Sequence, residues 1–175
     1  MKSEIGLLYY NDFNRPVLEK LIHSNELTFT ELFTAHPHVF IGKHHPLATK
    51  KKISMEELEE YPYISFEQGD HNSFYFSEEI FSTVVRPKHI RVRDRASLFS
   101  LLLGLNGYTV SSGVIDEEVN GENIIAVPLA EEGIMHIGYI TNNKMQRSRL
   151  GQEYIQALKD YLKTYGRHIQ LATTE

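Results

Sequence analysis

The sequence predicts an α/β protein in which helices cover a mainly parallel β-sheet. Two observations support this fold class. Short apolar runs such as Ile5–Tyr10 and Tyr63–Phe66 alternate with segments whose apolar residues recur at helical spacing, as in strand–helix–strand units with right-handed crossovers. The segment from Leu150 to Tyr165 also repeats apolar residues with a helical period and stops at Gly166, which predicts a closing helix.

The other elements follow in short succession. Strands are predicted at residues 5–10, 27–33, 39–42, 63–66, 89–93, 108–110, 124–127 and 135–140. Helices are predicted after Asn14, from Ser54 with Glu57 in a capping box, over residues 74–84 with Asp70 or Asn72 as the cap, and after Asp94. The series from residue 5 to residue 110 therefore indicates a parallel sheet.

Composition and charge limit the function classes. The chain has 175 residues, 41% of them hydrophobic and 23% charged, which suits one globular domain or two small lobes. A net charge of −5, with one short basic run at 50–52, argues against a nucleic-acid surface. The absence of cysteine excludes disulfides and thiolate metal sites. Without an apolar run of membrane-span length or a signal-like start, we expect a cytoplasmic protein without a membrane partner.

Candidate ligand-binding residues come from the geometry of open parallel sheets, in which ligands bind beyond the carboxyl ends of the strands. This rule selects Tyr9, Tyr10, Ser65, Phe66, Glu67, Gln68, Arg93, Asp94, Arg95, Ser111 and Ser112. Arg93 could pair with an anionic ligand, although an internal ion pair or simple exposure is the alternative. Asn106 and Gly107, in Gly104-Leu105-Asn106-Gly107, form either a tight turn or a close backbone approach to a ligand, and the two can coexist.

Catalytic and metal-binding patterns are weak. No Gly-x-Ser-x-Gly elbow, phosphate-binding loop or dinucleotide fingerprint occurs. His36, His38, His44 and His45 lie close together, but no carboxylate completes a ligand set and Pro37 interrupts the strand. We therefore expect no enzyme, no metal and no cofactor, and we expect these histidines not to converge on one ion.

Several stretches together resemble the effector-binding domain of LysR-type transcriptional regulators. They are Glu4-Ile5-Gly6-Leu7, the tetrad His45-Pro46-Leu47-Ala48, the segment 60–64 around Pro62, the helix end and turn at 102–108, the segment 125–129 around Pro128, and the closing helix. Each motif is short, but their order and spacing extend over nearly the whole chain. Asn106 stands where the family has glycine, and Ser112 where proline is usual.

The resemblance implies two Rossmann-like lobes of the periplasmic-binding-protein type, joined by crossover strands, with a small-molecule effector in the cleft between them. Residues 36–123 would form the second lobe, and residues 1–35 and 124–175 an incomplete first lobe. It also implies a homodimer and DNA binding only through an N-terminal winged helix-turn-helix that this chain lacks. The alternative is a solute-binding protein of a transport system, which shares the architecture.

Overall fold

A computed structural model describes residues 3–67, 74–77, 79–116, 121–165 and 169–172. Its contacts divide the chain into two compact units. Unit 1 combines residues 1–35 with residues 134–175, and unit 2 comprises residues 36–133. The boundary expected at residue 124 differs from this division, because the strand Ile124–Pro128 pairs along its length with His38–Gly42 inside unit 2.

The regular elements mostly fall where the sequence indicates. The strands are β1 (Ile5–Tyr10), β2 (Leu27–Ala35), β3 (His38–Gly42), β4 (Tyr63–Phe66), β5 (His89–Val92), β6 (Thr109–Ser111), β7 (Ile124–Pro128), β8 (Met135–Asn142) and β9 (Gln170–Leu171). The helices are α1 (Arg15–Ser24), α2 (Arg95–Gly104) and α3 (Arg149–Leu162), with short 3₁₀ turns at Phe74–Phe76 and Lys163–Tyr165. No helix in the described ranges is both long enough and apolar enough to span a membrane.

Unit 1 is built on a four-stranded sheet in the order β1-β8-β2-β9. Every neighbouring pair in this sheet is antiparallel. Tyr10 of β1 packs with Leu18 and Ile22 of α1 in a small core. Asn14, the expected N-cap of α1, makes no capping bond. Its side chain instead accepts from the Asn11 N–H and donates to the Tyr9 carbonyl, so it fixes the turn between strand and helix.

The start of α3 is tied to the start of β1. Ser148 caps the helix by accepting a 3.0 Å hydrogen bond from the Gly151 N–H. The carboxylate of Glu4 in turn accepts hydrogen bonds from the N–H and the hydroxyl of Ser148. One residue near the amino terminus therefore organises a helix that begins far along the chain.

Two apolar rows run along α3, and the structure buries only one of them. The inward row contains Gly151, Ile155 and Leu162. The outer row begins at Leu150, which is 76% exposed, and continues through Tyr154 and Tyr161, which are also exposed. The predicted closing helix is present, and part of its apolar surface is uncovered.

Unit 2 contains the sheet β6-β3-β7, which is antiparallel, and the parallel pair β4-β5. A parallel bridge between Tyr63 and Tyr108 continues the pairing of β4 on its other side. The core gathers Phe40, Ile64, Val92, Leu98 and Leu102 beneath α2. The mainly parallel sheet expected from the sequence is therefore wrong for most strand pairs. β3 pairs antiparallel with both β6 and β7, whereas strands joined by helical crossovers would run parallel.

Two expected helices of unit 2 are replaced by turns. Ser54 and Glu57 do form the reciprocal contacts of a capping box, with the Ser54 N–H 3.0 Å from Glu57 Oε2, but the segment that follows consists of turns. Residues 79–83 are also turns and bends. Phe81 has φ +60°, a left-handed conformation that a right-handed helix cannot include. The proposed caps Asp70 and Asn72 lie outside the described residues.

Candidate functional site

Unit 2 contains a cavity of about 330 Å³ whose walls combine apolar, polar and charged side chains. Four elements of regular structure contribute to it: β3, the end of β4, the first turns of α2 and β6. The lining residues are Phe40, Phe66, Glu79, Arg95, Leu98, Phe99, Thr109, Val110, Ser111 and Val114. A concave apolar surface with a few polar groups is the usual form of a small-molecule site.

The positive charge of the cavity stands in the first turn of α2. Asp94 caps this helix by accepting a 2.8 Å hydrogen bond from the Ser97 N–H, and the hydrogen bonds from Ser97 lower the pKa of the Asp94 carboxyl. Arg95 follows the cap, and its guanidinium carbon lies 5.0 Å from the centre of the Phe99 ring. No acidic residue occupies this first turn. The Arg95 guanidinium therefore favours an anion beside it, whereas the Asp94 carboxylate already occupies the positive end of the helix.

The negative charge comes from a loop residue. Glu79 is only 4% exposed. Its Oε1 accepts a 2.8 Å hydrogen bond from the Phe66 N–H, and its Oε2 accepts one of 3.0 Å from the Ser77 hydroxyl. These bonds join the loop to the end of β4, so that Glu79 and Phe66 belong to one wall of the cavity.

The structure brings together part of the sequence-selected set. Phe66, Arg95 and Ser111 line the cavity. Ser65 lies behind it in β4, buried, with its hydroxyl 2.7 Å from His89 Nε2. Ser112 accepts a 3.4 Å hydrogen bond from the Val114 N–H beside the cavity. Tyr9 and Tyr10 belong to β1 in unit 1, and Gln68 lies outside the described residues.

Arg93 differs from the expectation. Its side chain is 83% exposed and forms an ion pair with Glu67. The contact raises the pKa of the Arg93 guanidinium and lowers the pKa of the Glu67 carboxyl. β5 ends at Val92 and α2 begins at Arg95 after the cap Asp94, so the chain changes direction between the two arginines, and Arg95 lines the cavity while Arg93 does not.

Asn106 and Gly107 form a packed turn behind α2. Asn106 has φ +50° and its carbonyl oxygen lies 3.0 Å from His45 Nε2. A Cβ on Gly107 would stand 2.6 Å from Ile64 Cδ1. The sequence left open a tight turn or a close backbone approach to a ligand. Asn106 and Gly107 form the tight turn, and neither residue lines the cavity.

Sequence reasoning missed Glu79 and most of the apolar lining. Nothing in the local pattern distinguishes Glu79 from the other carboxylates of the chain, because its burial depends on a bond to the end of β4. Leu98 and Phe99 could have been predicted to line the site, since they lie one turn beyond the Asp94 cap on a helix that begins near a strand end.

The grouped histidines have separate environments. His36 Nδ1 lies 3.2 Å from the Gly133 carbonyl oxygen, and His38 Nδ1 lies 2.8 Å from that of His36. His45 packs against the Tyr61 ring, and burial lowers the pKa of its imidazole. Across the described ranges, no group of three or more His, Cys, Asp or Glu side chains is arranged to hold a metal ion.

Comparison with protein families identifies the chain. The family model described as the LysR substrate binding domain matches residues 15–163. The chain belongs to this family. LysR substrate-binding domains are effector-sensing regulatory domains, and the chain is one of them. The solute-binding alternative is not favoured. Comparison with curated protein sequences gives no match.

Solved structures share the fold of this LysR substrate-binding domain. The effector-binding domain of QuiR in complex with shikimate is 16% identical, with a TM-score of 0.57 over 93% of this chain and 73% of that one. HinK, a LysR family regulator from Pseudomonas aeruginosa, is 15% identical, with a TM-score of 0.59 over 91% of this chain. The BenM effector-binding domain with benzoate is 18% identical, with a TM-score of 0.53 over 81% of this chain. The present chain spans 52% of the HinK chain and 65% of the BenM chain.

Proposed function

We propose that this LysR substrate-binding domain senses a small organic anion bound in the cavity of unit 2, with Arg95 as the anion-binding residue. In a complete regulator the ligand would shift the domain between two conformational states and so change the action of an attached DNA-binding domain. The observation that supports this assignment is the guanidinium of Arg95 at the start of α2, on the wall of a cavity whose other polar lining residues are Glu79, Thr109 and Ser111.

The cavity suits a compact anion. Its volume of about 330 Å³ lies near the lower end for small-molecule sites. Phe66 and Phe99 offer flat faces for an apolar ligand body, and Thr109 and Ser111 offer hydroxyls that could orient it. A guanidinium binds a carboxylate through two parallel hydrogen bonds. The ligands bound to the effector-binding domains of QuiR and BenM, shikimate and benzoate, are both carboxylates.

The sequence-selected residues take different parts in this proposal. Phe66 contacts the ligand directly, and Asp94 positions Arg95 by capping α2. The walls of the cavity are supported from behind by Ser65, Asn106, Gly107 and Ser112. That Tyr9, in β1, contacts a ligand stays a prediction. Arg93 forms the ion pair with Glu67 and does not contact the ligand.

Two matched variants test the assignment. Binding of benzoate and shikimate to the wild-type chain is measured by titration calorimetry and compared with Arg95→Gln and Arg93→Gln. Loss of a charge-assisted contact is expected to weaken binding roughly tenfold or more in Arg95→Gln. Arg93→Gln should bind like the wild type. Equal weakening in both variants, or weakening only in Arg93→Gln, would overturn the choice of Arg95.

We also propose that the domain binds its ligand without transforming it. The pairing closest to a catalytic one is the contact of Ser65 with His89, but the serine is 6% exposed and does not line the cavity. Mass spectrometry of benzoate or shikimate after prolonged incubation should return the ligand unchanged. A product that disappears in the Ser65→Ala variant would contradict this proposal.

We propose finally that two copies associate through the outer row of α3. Exposed Leu150, Tyr154, Ala157 and Tyr161 are spaced by four, three and four residues, which is the spacing of a helix–helix seam. Sedimentation should give a dimer for the wild type and a monomer for Tyr154→Glu. The control Gln152→Glu, on another exposed side of the helix, should leave the mass unchanged, and a wild-type monomer at high concentration would contradict the proposal.

A further inference from the structure

We infer that the ligand of the unit 2 cavity is a hydroxylated carboxylic acid, and that Thr109 is the residue that selects its hydroxyl group. This inference rests on the proposed function and extends it from the charge of the ligand to a neutral polar group. A carboxylate at Arg95 does not account for the buried hydroxyl of Thr109 in another wall of the same cavity.

Thr109 is the buried polar residue of the β6 wall. It is 5% exposed and lines the cavity. In the pairing of β3 with β6 it lies opposite Phe40, and directly opposed residues of two paired strands lie on the same face of the sheet. Phe40 packs in the core beneath α2 together with Leu98. The side chain of Thr109 therefore belongs to the face that α2 covers, which is the face that bounds the cavity.

The hydroxyl of Thr109 has no hydrogen-bond partner among the residues that the structure describes. Its polar neighbours differ, because Glu79 accepts from the Phe66 N–H and Ser65 contacts His89. A buried hydroxyl without a partner is costly, since it has given up water and gained nothing. In solution water fills this role, and a ligand that displaces the water must replace its bonds.

The chemistry of Thr109 favours a ligand hydroxyl over other groups. A threonine hydroxyl has one donor and two acceptor positions, and a ligand hydroxyl can use both kinds. A charged group would lose its hydration at this buried place without gaining an ion pair from Thr109. An alkyl group would leave the threonine hydroxyl unpaired. The chemical class is therefore a hydroxy-carboxylate, with its carboxylate at Arg95 and its hydroxyl at Thr109.

Ser111 provides an internal comparison for this assignment. It follows Thr109 by two residues in β6, so its side chain lies on the same face of the strand, roughly 7 Å further along. It also lines the cavity, but it is only partly buried. Water can therefore satisfy the Ser111 hydroxyl whether or not a ligand is bound. We expect Thr109, and not Ser111, to set the preference for a hydroxylated ligand.

Matched pairs of substituted benzoates test the inference on the whole chain. The meta- and para-hydroxybenzoates are each compared with the benzoate that carries a methyl group at the same position, which is similar in size but forms no hydrogen bond. The two positions place the hydroxyl at different distances from the carboxylate. In titration calorimetry on the wild type, at least one hydroxybenzoate should bind on the order of tenfold more tightly than its methyl counterpart.

Three variants assign that preference to a residue. Thr109→Val keeps a β-branched side chain without the hydroxyl, so it should abolish or reverse the preference. Ser111→Ala should retain it. Arg95→Gln should weaken the hydroxybenzoate and the methylbenzoate by the same factor, because both present the same carboxylate. Circular dichroism checks that each variant is folded.

The outcomes separate this inference from the proposed function. Methylbenzoates that bind the wild type as tightly as the hydroxybenzoates at both positions would overturn the hydroxyl site and leave the anion site at Arg95 standing. A preference that survives in Thr109→Val, or that is lost only in Ser111→Ala, would also overturn the choice of Thr109. If shikimate alone binds, weaker binding by Thr109→Val supports the inference and unchanged binding overturns it. Binding of no carboxylate at all would overturn both proposals.

Discussion

His45 and Asn106 are joined by a hydrogen bond of 3.0 Å between the imidazole Nε2 and the backbone carbonyl oxygen. The other ring nitrogen, Nδ1, lies 3.1 Å from the Leu47 N–H and accepts from it. The neutral ring with its proton on Nε2 satisfies both contacts, whereas a second proton on Nδ1 would face another donor. His45, the first residue of the tetrad His45-Pro46-Leu47-Ala48, therefore fixes the turn at Asn106 and Gly107.

This geometry predicts a stability that falls in mild acid. Burial lowers the pKa of His45 below its ordinary value of 6.5, so the unfolded chain binds the proton more readily than the folded one. The contribution is fully present above about pH 6.5 and is lost as the pH falls toward the folded pKa. Urea unfolding across this window should show a shallower pH dependence for His45→Gln than for the wild type.

The neighbouring His44 supplies the control for that experiment. It is exposed, so His44→Gln should retain the wild-type pH dependence. His89 also has a lowered pKa, caused first by burial and then by Arg91 and Arg86, and some pH dependence should therefore remain in His45→Gln. Identical slopes for His45→Gln and the wild type would count against the assignment.

The turn at Gly107 should tolerate no side chain. In Gly107→Ala the new Cβ would stand 2.6 Å from Ile64 Cδ1 and 3.1 Å from the Pro62 carbonyl oxygen. Such overpacking should lower the free energy of unfolding by about 1–3 kcal/mol. Gly104→Ala is the matched control, since nothing lies within 4 Å of its Cβ and alanine favours the helix. Denaturant midpoints that fall equally in both variants would contradict this account.

The guanidinium of Arg86 should stabilise unit 2 through its shape as well as its charge. Its central carbon lies 3.9 Å from the centre of the Tyr63 ring, and its Nε donates to the Tyr108 hydroxyl at 3.1 Å. It also donates to the carbonyls of Phe81 and Val84. Lysine cannot reproduce this planar set.

We therefore expect Arg86→Lys to lower the free energy of unfolding by about 1.5–3 kcal/mol, the value of a hydrogen bond to a charged group. Tyr108→Phe, which removes only one acceptor, should cost less. Thermal or chemical unfolding of the two variants measures which loses more stability. A larger loss in Tyr108→Phe than in Arg86→Lys would show that the tyrosine hydroxyl contributes more than the planar guanidinium.

The cap of α3 provides a fourth test. Ser148→Ala removes the acceptor of the Gly151 N–H and one of the two partners of Glu4, so it should lower the free energy of unfolding by about 0.5–2 kcal/mol. Ser148→Asn keeps a capping oxygen and should recover much of the loss. Ser148→Asp also caps, but it faces the Glu4 carboxylate and should recover less at neutral pH. Equal stability of all three variants would exclude a capping role.

The fold class and the order of elements could be predicted from the sequence because apolar periodicity and caps are local properties. The cap of α2 by Asp94 and the positions of Phe66 and Ser111 at strand ends are examples. Arg93 does not line the cavity, because a strand pattern fixes the alternation of side chains but not the residue at which the strand ends and the chain turns into α2. Glu79 could not be found, since its burial is decided by the Phe66 N–H.

The buried face of α3 shows a second limit. Leu150, Tyr154 and Tyr161 have the same period as Gly151, Ile155 and Leu162, so hydrophobicity alone does not separate the two rows. Gly151 distinguishes the inward row, because it packs against Glu4 at a place where a Cβ would lie only 2.7 Å from a carboxylate oxygen. Contacts between distant residues, and not propensity, chose the inward row.

The bond of Glu4 to Ser148 also bears on how the chain folds as it leaves the ribosome. Strands β1 and β2 are not neighbours; β8 lies between them. When residue 133 has been synthesised, unit 2 is complete, but the early strands of unit 1 still lack the strand that joins them. The sheet of unit 1 must therefore wait for the synthesis of β8, with the apolar residues of β1 and β2 unpaired in the nascent chain until then. During that interval the unpaired backbone groups of β1 and β2 can pair with another chain or be bound by a chaperone.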